Sequence, residues 1–289
     1  MLAGIEAGGT KFVLAVGPSP TQIASRHTIP TRSPEATLAE AVEWFASHGR
    51  IDALGIASFG PLELDTRSPG WGRITNTPKP DWSDCDLAGY FARRLSVPVG
   101  FDTDVNGAAL AECEFGAGVG LSSLAYVTVG TGIGGGLVFD SKAVHGAAHP
   151  ETGHIFPRRH AGDAGFAGIC PVHGDCLEGL ASGPAVKARW GVALSELPND
   201  HVGHEVIAHY LGQLCHSLFA TTAVEAIVVG GGVMKTDGLV ERVRRAAELL
   251  DRGYLPGRSK QVVLAPALGD DAGITGAMLL AERAVRANW

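Results

Sequence analysis

Along the chain, short apolar runs ending in glycine turns alternate with longer stretches of helical spacing. "LAGIEA" and "KFVLAVG", split by a "GGT" turn, are two apolar runs that predict a hairpin at the start of the chain. A helix is predicted over 34–49, with Ser33 as its cap and Pro34 in its first turn. "DALGIASFG" has the pattern of a buried strand running into a glycine turn, and "VPVGFDTD" that of another. "VNGAALAECEF", directly after it, has helical spacing. "SLAYVTVGTGIGGGLVFD" then repeats the opening scheme of strand, Gly/Thr-rich turn and strand. Two similar hairpins therefore stand about half a chain apart, a duplication of architecture rather than of residue identity.

The segment 145–184 breaks the rhythm. It is rich in His, Gly and Pro without periodicity, and a connection this long predicts an ordered insertion around a site. Beyond it come a helix near 203–222, a strand "EAIVVGGG", a helix near 238–252, a strand "QVVLAPA" and a last helix from about Gly273. Strands alternating with helices define an α/β chain. No Ser/Pro-rich linker interrupts it, so two lobes would be closely joined, with a boundary near Gly116–Gly120.

Composition narrows the classes. The chain has 289 residues, 45% of them hydrophobic, which is enough for two modest lobes or one large domain. Its 40 glycines fall in short runs between apolar segments, as tight turns and ligand-facing backbone require. With a net charge of −7 and no basic block, nucleic acid is not an expected partner. No apolar run has membrane-spanning length, and "MLAGIEAGGTKF" lacks the pattern of a signal peptide, so a cytoplasmic location is expected. The 5 cysteines fit reduced thiols and a metal site better than a disulfide framework.

Three glycine turns compete to hold phosphates: "EAGGTK" (6–11), "GTGIGGG" (130–136) and "VGGGVM" (229–234). Glycine lets backbone N–H groups approach an anion, a Thr hydroxyl adds a donor, and Lys11 offers a charged contact. None matches a Walker or Rossmann pattern, and each alone reads equally as a tight hairpin. Together they carry more, because a nucleotide held between two lobes needs a phosphate turn from each and a seat for its adenosine. Asp102 and Asp104 sit where "VGFDTD" passes from strand to helix, the position at which open α/β sheets bind ligands. A carboxylate there suits a general base for a sugar or alcohol hydroxyl, while one of the acids, or Thr103, serves as the helix cap. Finally, "CPVHGDC" spaces Cys170, His173 and Cys176 evenly in a glycine-rich loop, a zinc corner lacking its fourth ligand. His145, His149, His154 and His160 all lie upstream as candidates. Glu151 and Glu178 flank the same corner with groups suited to sugar hydroxyls.

In combination, "GIEAGGTKF", "SFGPLEL", "ITNTPKPDW", "DTDVNGAALAE", "VTVGTGIGGGLV", "HPETGH", "CPVHGDCLEGLASGPA" and "VVGGGVM" resemble, in order and nearly end to end, the ROK family of sugar kinases and repressors. Glu6 and Thr103, where general ROK sugar kinases carry Asp and Asn, look like its fructokinase branch. The resemblance implies an actin/hexokinase-like (ribonuclease H-like) fold of two lobes. The small lobe would span 1–117, completed by a C-terminal helix over 273–289. The large lobe would span 118–272 and hold the zinc segment 145–184. It implies magnesium- and ATP-dependent phosphorylation of fructose on O6, with Asp104 as base. Glu151, His154, Glu178 and, more weakly, Asn76 would contact sugar. Gly8, Gly9, Thr10, Lys11, Thr131 and Gly132 would face phosphates, and Pro184, Gly230, Gly231 and Gly232 the adenosine. It selects His154 as the partner of Cys170, His173 and Cys176 around a structural zinc, and it implies a homodimer.

Two other classes remain to be weighed. The family's repressors carry an added DNA-binding segment before the phosphate hairpin, whereas here that hairpin begins within the first ten residues. A zinc hydrolase would keep an open coordination position. Among kinases, mannose, glucose or an N-acetylated hexosamine are the alternative substrates.

Overall fold

The computed structural model describes residues 1–287. In chain order its regular elements begin with β1 (Leu2–Ala7), β2 (Lys11–Gly17), β3 (Ser25–Pro30), α1 (Pro34–Ala46), β4 (Ala53–Ser58), α2 (Leu87–Leu95), β5 (Val99–Thr103) and α3 (Asp104–Phe115). They continue with β6 (Ser123–Val129), β7 (Ile133–Phe139), β8 (Lys142–Ala143), α4 (Leu177–Ala181), α5 (Gly183–Trp190) and α6 (Gly203–Thr222). The last are β9 (Ala226–Gly230), α7 (Leu239–Asp251), β10 (Val262–Leu264) and α8 (Ala272–Ala287).

The chain divides into two compact units. The first comprises residues 1–111, 142–150 and the chain from Asp270 onward; the second comprises Glu112–Ser141 and Glu151–Gly269. The expected boundary near Gly116–Gly120 thus differs from the observed one, which falls inside α3, and residues 145–150 join the first unit rather than the large lobe. Spacing could not reveal the first, because an uninterrupted helix carries the chain across that boundary.

The first sheet has the order β3-β2-β1-β4-β5 and the second β10-β9-β6-β7-β8. Each hairpin anticipated from the sequence forms: β1 pairs antiparallel with β2, and β6 with β7. In each sheet the first hairpin strand also takes a parallel partner on its other side, β4 beside β1 and β9 beside β6. The two sheets therefore repeat one strand order. Parallel strands need crossover segments, and helices supply them. Strand β4 is buried along its whole length, and so is β9.

In the first unit α8 lies on β1, β4 and β5. Its close approach depends on glycine: a Cβ at Gly55 would fall 1.8 Å from the Ala277 carbonyl oxygen, and one at Gly100 2.3 Å from that of Leu280. The core of this unit gathers Phe12, Phe45, Phe91 and Trp82, all fully buried. Trp82 satisfies its indole N–H on the Arg32 carbonyl at 2.9 Å.

Several sequence expectations needed adjustment. The first helix stops at Ala46 rather than at 49; Ser47 caps it and Gly49 follows at φ +78. The helix expected over 238–252 begins after Gly238, at φ +70, and ends before Arg252, at φ +52. Strand β3 went unseen because it is an edge strand whose side chains are mostly exposed, so it lacks an apolar run. Helix α2 went unseen because it is short and its apolar face is confined to Leu87, Ala88 and Phe91; Asp86 caps it by accepting from Gly89 N.

Candidate active site and metal corner

In the first unit the polar groups gather where β5 meets α3. Thr103 is the residue that caps the helix: its Oγ1 accepts from Asn106 N at 3.0 Å. Asp102 is 4% exposed. Its Oδ1 accepts from Thr103 N at 2.8 Å and from Asn106 Nδ2 at 2.7 Å. His145 Nε2 stands 3.0 Å from its Oδ2. Asp104, on the first turn of α3, accepts from its neighbour Val105 N at 2.8 Å. The two acids that local spacing left undivided thus have different surroundings: Asp102 is locked in a buried network, and Asp104 stands at the positive end of a helix.

Glu6 on β1 belongs to the same neighbourhood. Burial, followed by the charge of Asp104, pushes its carboxyl up to about 7, against the lowering influence of Lys11 and Arg26. Gly273, in the first turn of α8, leaves it room: a Cβ there would lie 2.5 Å from the Glu6 carboxyl. Sequence reading noted Glu6 only as a departure from a family pattern. The signal available was a charged residue inside an otherwise apolar strand.

The β1–β2 turn is closed by Gly8 N donating to the Lys11 carbonyl at 2.9 Å. Thr31 braces it by donating from Oγ1 to the Gly8 carbonyl at 2.7 Å and from its backbone N to the Thr10 carbonyl at 3.0 Å. Gly9, Thr10 and Lys11 are exposed. A Cβ on Gly9 would meet no protein atom within 4 Å. Asn76 is exposed in the connection between β4 and α2.

In the second unit the β6–β7 turn has the same character. Gly130 N donates to the Gly132 carbonyl at 2.9 Å, and Gly183 N, at the start of α5, donates to the Gly130 carbonyl at 2.8 Å. Glu178 on α4 accepts from Ile133 N at 3.0 Å, so this carboxylate lies against the turn. Thr131 and Pro184 are exposed. Gly230 is held against the Tyr126 hydroxyl, Gly231 takes φ +93, and a Cβ on Gly130 or Gly232 would meet nothing within 4 Å. Gly9, Gly130 and Gly232 are therefore glycines that neither internal packing nor a left-handed backbone requires. Open backbone of this kind is what an anion or a flat base needs in order to approach closely.

The metal corner is built locally. Cys170 and Gly174 exchange backbone hydrogen bonds of 3.1 and 2.9 Å, Gly174 sits at φ +64, and His173 N points at Cys170 Sγ at 3.5 Å. Glu151 precedes a short 3₁₀ turn, Thr152–His154, that brings His154 to the same point. One ligand atom from each of His154, Cys170, His173 and Cys176 lies within 4.8 Å of all the others. Cys176 Sγ is 3.5 Å from His154 Nδ1, and Cys170 Sγ is 3.8 Å from His173 Nδ1 and 4.0 Å from His154 Nδ1. Zinc bonds of about 2.0–2.1 Å to nitrogen and about 2.3 Å to sulfur make a tetrahedron with edges of about 3.4–3.8 Å, and these three distances are close to that spacing. Burial, with Cys170 adding to it, pushes the Cys176 thiol above its ordinary range, so its thiolate form calls for a cation beside it. The second nitrogen of His154 lies 3.9 Å from Glu151 Oε2. His149 and His160 go elsewhere: His149 Nε2 accepts from Leu62 N at 3.0 Å, and His160 Nδ1 from Gly162 N at 3.1 Å.

A second polar cluster escaped sequence reading. Asp163, 5% exposed, holds Arg189 Nε at 2.8 Å and accepts from the Tyr210 hydroxyl at 2.7 Å, while Arg189 stacks 3.9 Å above the Phe166 ring. It pins the loop after His154 to α5 and α6, and no local spacing announces it.

The fold and these sites define an α/β protein of two like-ordered sheets, with an open glycine turn on each and a carboxylate-rich strand end on the first. The chain belongs to the ROK family, whose model matches residues 2–284. It is 47% identical over 285 residues to a fructokinase of Zymomonas mobilis, covering 96% of this chain and 95% of that protein. It is 38% identical to a fructokinase of Pediococcus pentosaceus, covering 99% of each. Among solved structures, a ROK family glucokinase from Streptomyces griseus in complex with glucose and AMPPNP superposes with a TM-score of 0.74. That pair is 26% identical and covers 98% of this chain and 99% of that one.

Proposed function

We propose that this protein is a fructokinase that transfers the γ-phosphoryl group of ATP to fructose, giving fructose 6-phosphate. The observation that carries the reading is the division of labour at the β5–α3 junction. Thr103 caps the helix and Asp102 is tied into a buried network, so Asp104 is the acid placed to take a hydroxyl proton. The fructokinases of similar sequence supply the sugar and the reaction.

In this reading Gly8, Gly9, Thr10 and Lys11 meet phosphates from the first unit, and Thr131 and Gly132 from the second. Gly230, Gly231, Gly232 and Pro184 lie along the adenosine. Glu151, His154 and Glu178 hold sugar hydroxyls, with Asn76 a lesser contact. Magnesium would arrive with ATP; Glu6, raised mainly by burial and then by the charge of Asp104, makes with Asp104 an acidic pair that suits a divalent cation there, and the ion would neutralise charge on the transferring group. Zinc would be held by His154, Cys170, His173 and Cys176. Four protein ligands close its shell, so its contribution is to fix the loop rather than to do chemistry. Cytoplasmic location, from the sequence pattern, and a homodimer, from the family resemblance, complete the proposal.

A second reading, another hexose as the main substrate, is favoured by one finding, the glucose held by the Streptomyces griseus relative. A coupled assay with ATP and magnesium over fructose, mannose, glucose and N-acetylated hexosamines separates the two. Fructose giving the highest kcat/KM supports the proposal, and a higher value for any other sugar replaces it.

A further inference from the structure

Of the four histidines that compete for the metal corner, His145 goes to the first unit, where its ring meets the buried carboxylate of Asp102. Oxygen Oδ1 of that carboxylate is served by Thr103 N and Asn106 Nδ2; among the described residues Oδ2 has His145 for its partner. A carboxylate oxygen buried without a donor is costly, so without His145 the Asp102 side chain would turn toward another partner or toward water. Both of its other bonds would move with it. One reaches the amide of Thr103, the cap of α3, and the other reaches Asn106, fully buried on the first turn of that helix. Asp104 lies between those two residues. The Asn106 site has no slack to absorb a shift, since its Oδ1 is already buried without a hydrogen bond.

We propose that His145 is a positioning residue for phosphoryl transfer: by donating from Nε2 to Asp102 it fixes the turn on which Asp104 stands. This rests on the reading of Asp104 as the base. The hydrogen bond to Asp102 also raises the affinity of the ring for its proton, which strengthens the contact. The His145 side chain is 39% exposed while that of Asp102 is buried, so the contact spans from solvent to the buried turn. Positioning errors of about 1 Å cost on the order of 10²-fold in rate, which sets the scale of the expected effect.

The test compares His145→Ala, His145→Gln, Asp102→Asn and the double variant His145→Ala/Asp102→Asn. The readouts are kcat, KM for ATP and fructose, and hydrogen exchange of the amides of Thr103, Val105 and Asn106. His145→Ala should lower kcat about 10- to 100-fold while KM for ATP stays within about twofold. His145→Gln, which keeps an N–H donor, should recover most of the loss. The double variant should be no slower than Asp102→Asn alone, because the effect of His145 passes through Asp102. Exchange should quicken at those amides in His145→Ala and return toward the native rate in His145→Gln. A His145→Ala enzyme with near-native kcat overturns the proposal, and so does an equal His145→Ala loss whether residue 102 is Asp or Asn. A native protein that phosphorylates no hexose refutes the proposed function instead. Hydrogen exchange then decides the present inference, and unchanged protection at those amides ends it.

Discussion

The raised carboxyl of Glu6 makes a prediction about stability as well as chemistry. In the unfolded chain this group titrates near its ordinary value of 4.5, and in the folded protein at about 7. Below 4.5 both states carry the proton and Glu6 adds no pH dependence. Between these values the folded state keeps a proton that the unfolded state has lost, so stability falls as pH rises. Above about 7 both states are ionised and the penalty is constant. The shift is roughly 2.5 pH units, which at about 1.4 kcal/mol each sets a ceiling of about 3.5 kcal/mol on the penalty. Glu6→Gln has no charge to bury and should escape it. Denaturant unfolding of both proteins should give nearly equal stability at pH 4.5, a gap in favour of the variant that widens through pH 5–7, and a plateau above. Parallel curves across pH 4.5–8 would refute the argument, because Glu6 would then titrate as an ordinary surface acid. Magnesium with ATP should narrow the gap at pH 8, since positive charge near Glu6 offsets its ionisation.

Other outcomes follow from single contacts. Asp104→Asn should cut kcat by about 10²–10⁴-fold with fructose binding retained, as read by steady-state kinetics and calorimetry; near-native kcat would leave Asp104 without the role of base. Gly9→Ala should leave the folded protein as stable or about 0.4–1 kcal/mol more so, because its Cβ meets no protein atom, yet raise KM for ATP. An unchanged KM would remove the β1–β2 turn from the phosphate site. Cys176→Ser, or removal of metal by a chelator, should loosen residues 150–180 in hydrogen exchange and raise KM for fructose more than KM for ATP. Elemental analysis of the purified protein should find about one zinc per chain, from the four-ligand count. A protein that never carries tightly bound zinc would refute the structural role of the corner.

The sequence by itself determined what depends on neighbours in the chain. The two hairpins, the helix capped by Ser33 and the strand-to-helix junction at 102–106 were legible because periodicity, turn residues and caps act over a few positions. The metal corner was half legible for the same reason: Cys170, His173 and Cys176 share one loop, whereas spacing could not choose among four histidines for the remaining ligand. The tertiary structure decided what depends on distant pairing. Which strands lie parallel, β4 beside β1 and β9 beside β6, is set by how helices cross over to cover the sheets, and no local pattern encodes it. The edge strand β3 escaped because an exposed strand can be polar on both faces and still pair through its backbone. Local spacing could not separate Asp102 from Asp104, which only the family resemblance told apart; their different surroundings came with the fold, which brings His145 from 43 positions away to Asp102. The ionisation of Glu6 likewise belongs to the fold, because burial and the charge of Asp104 exist only once the two residues share a site.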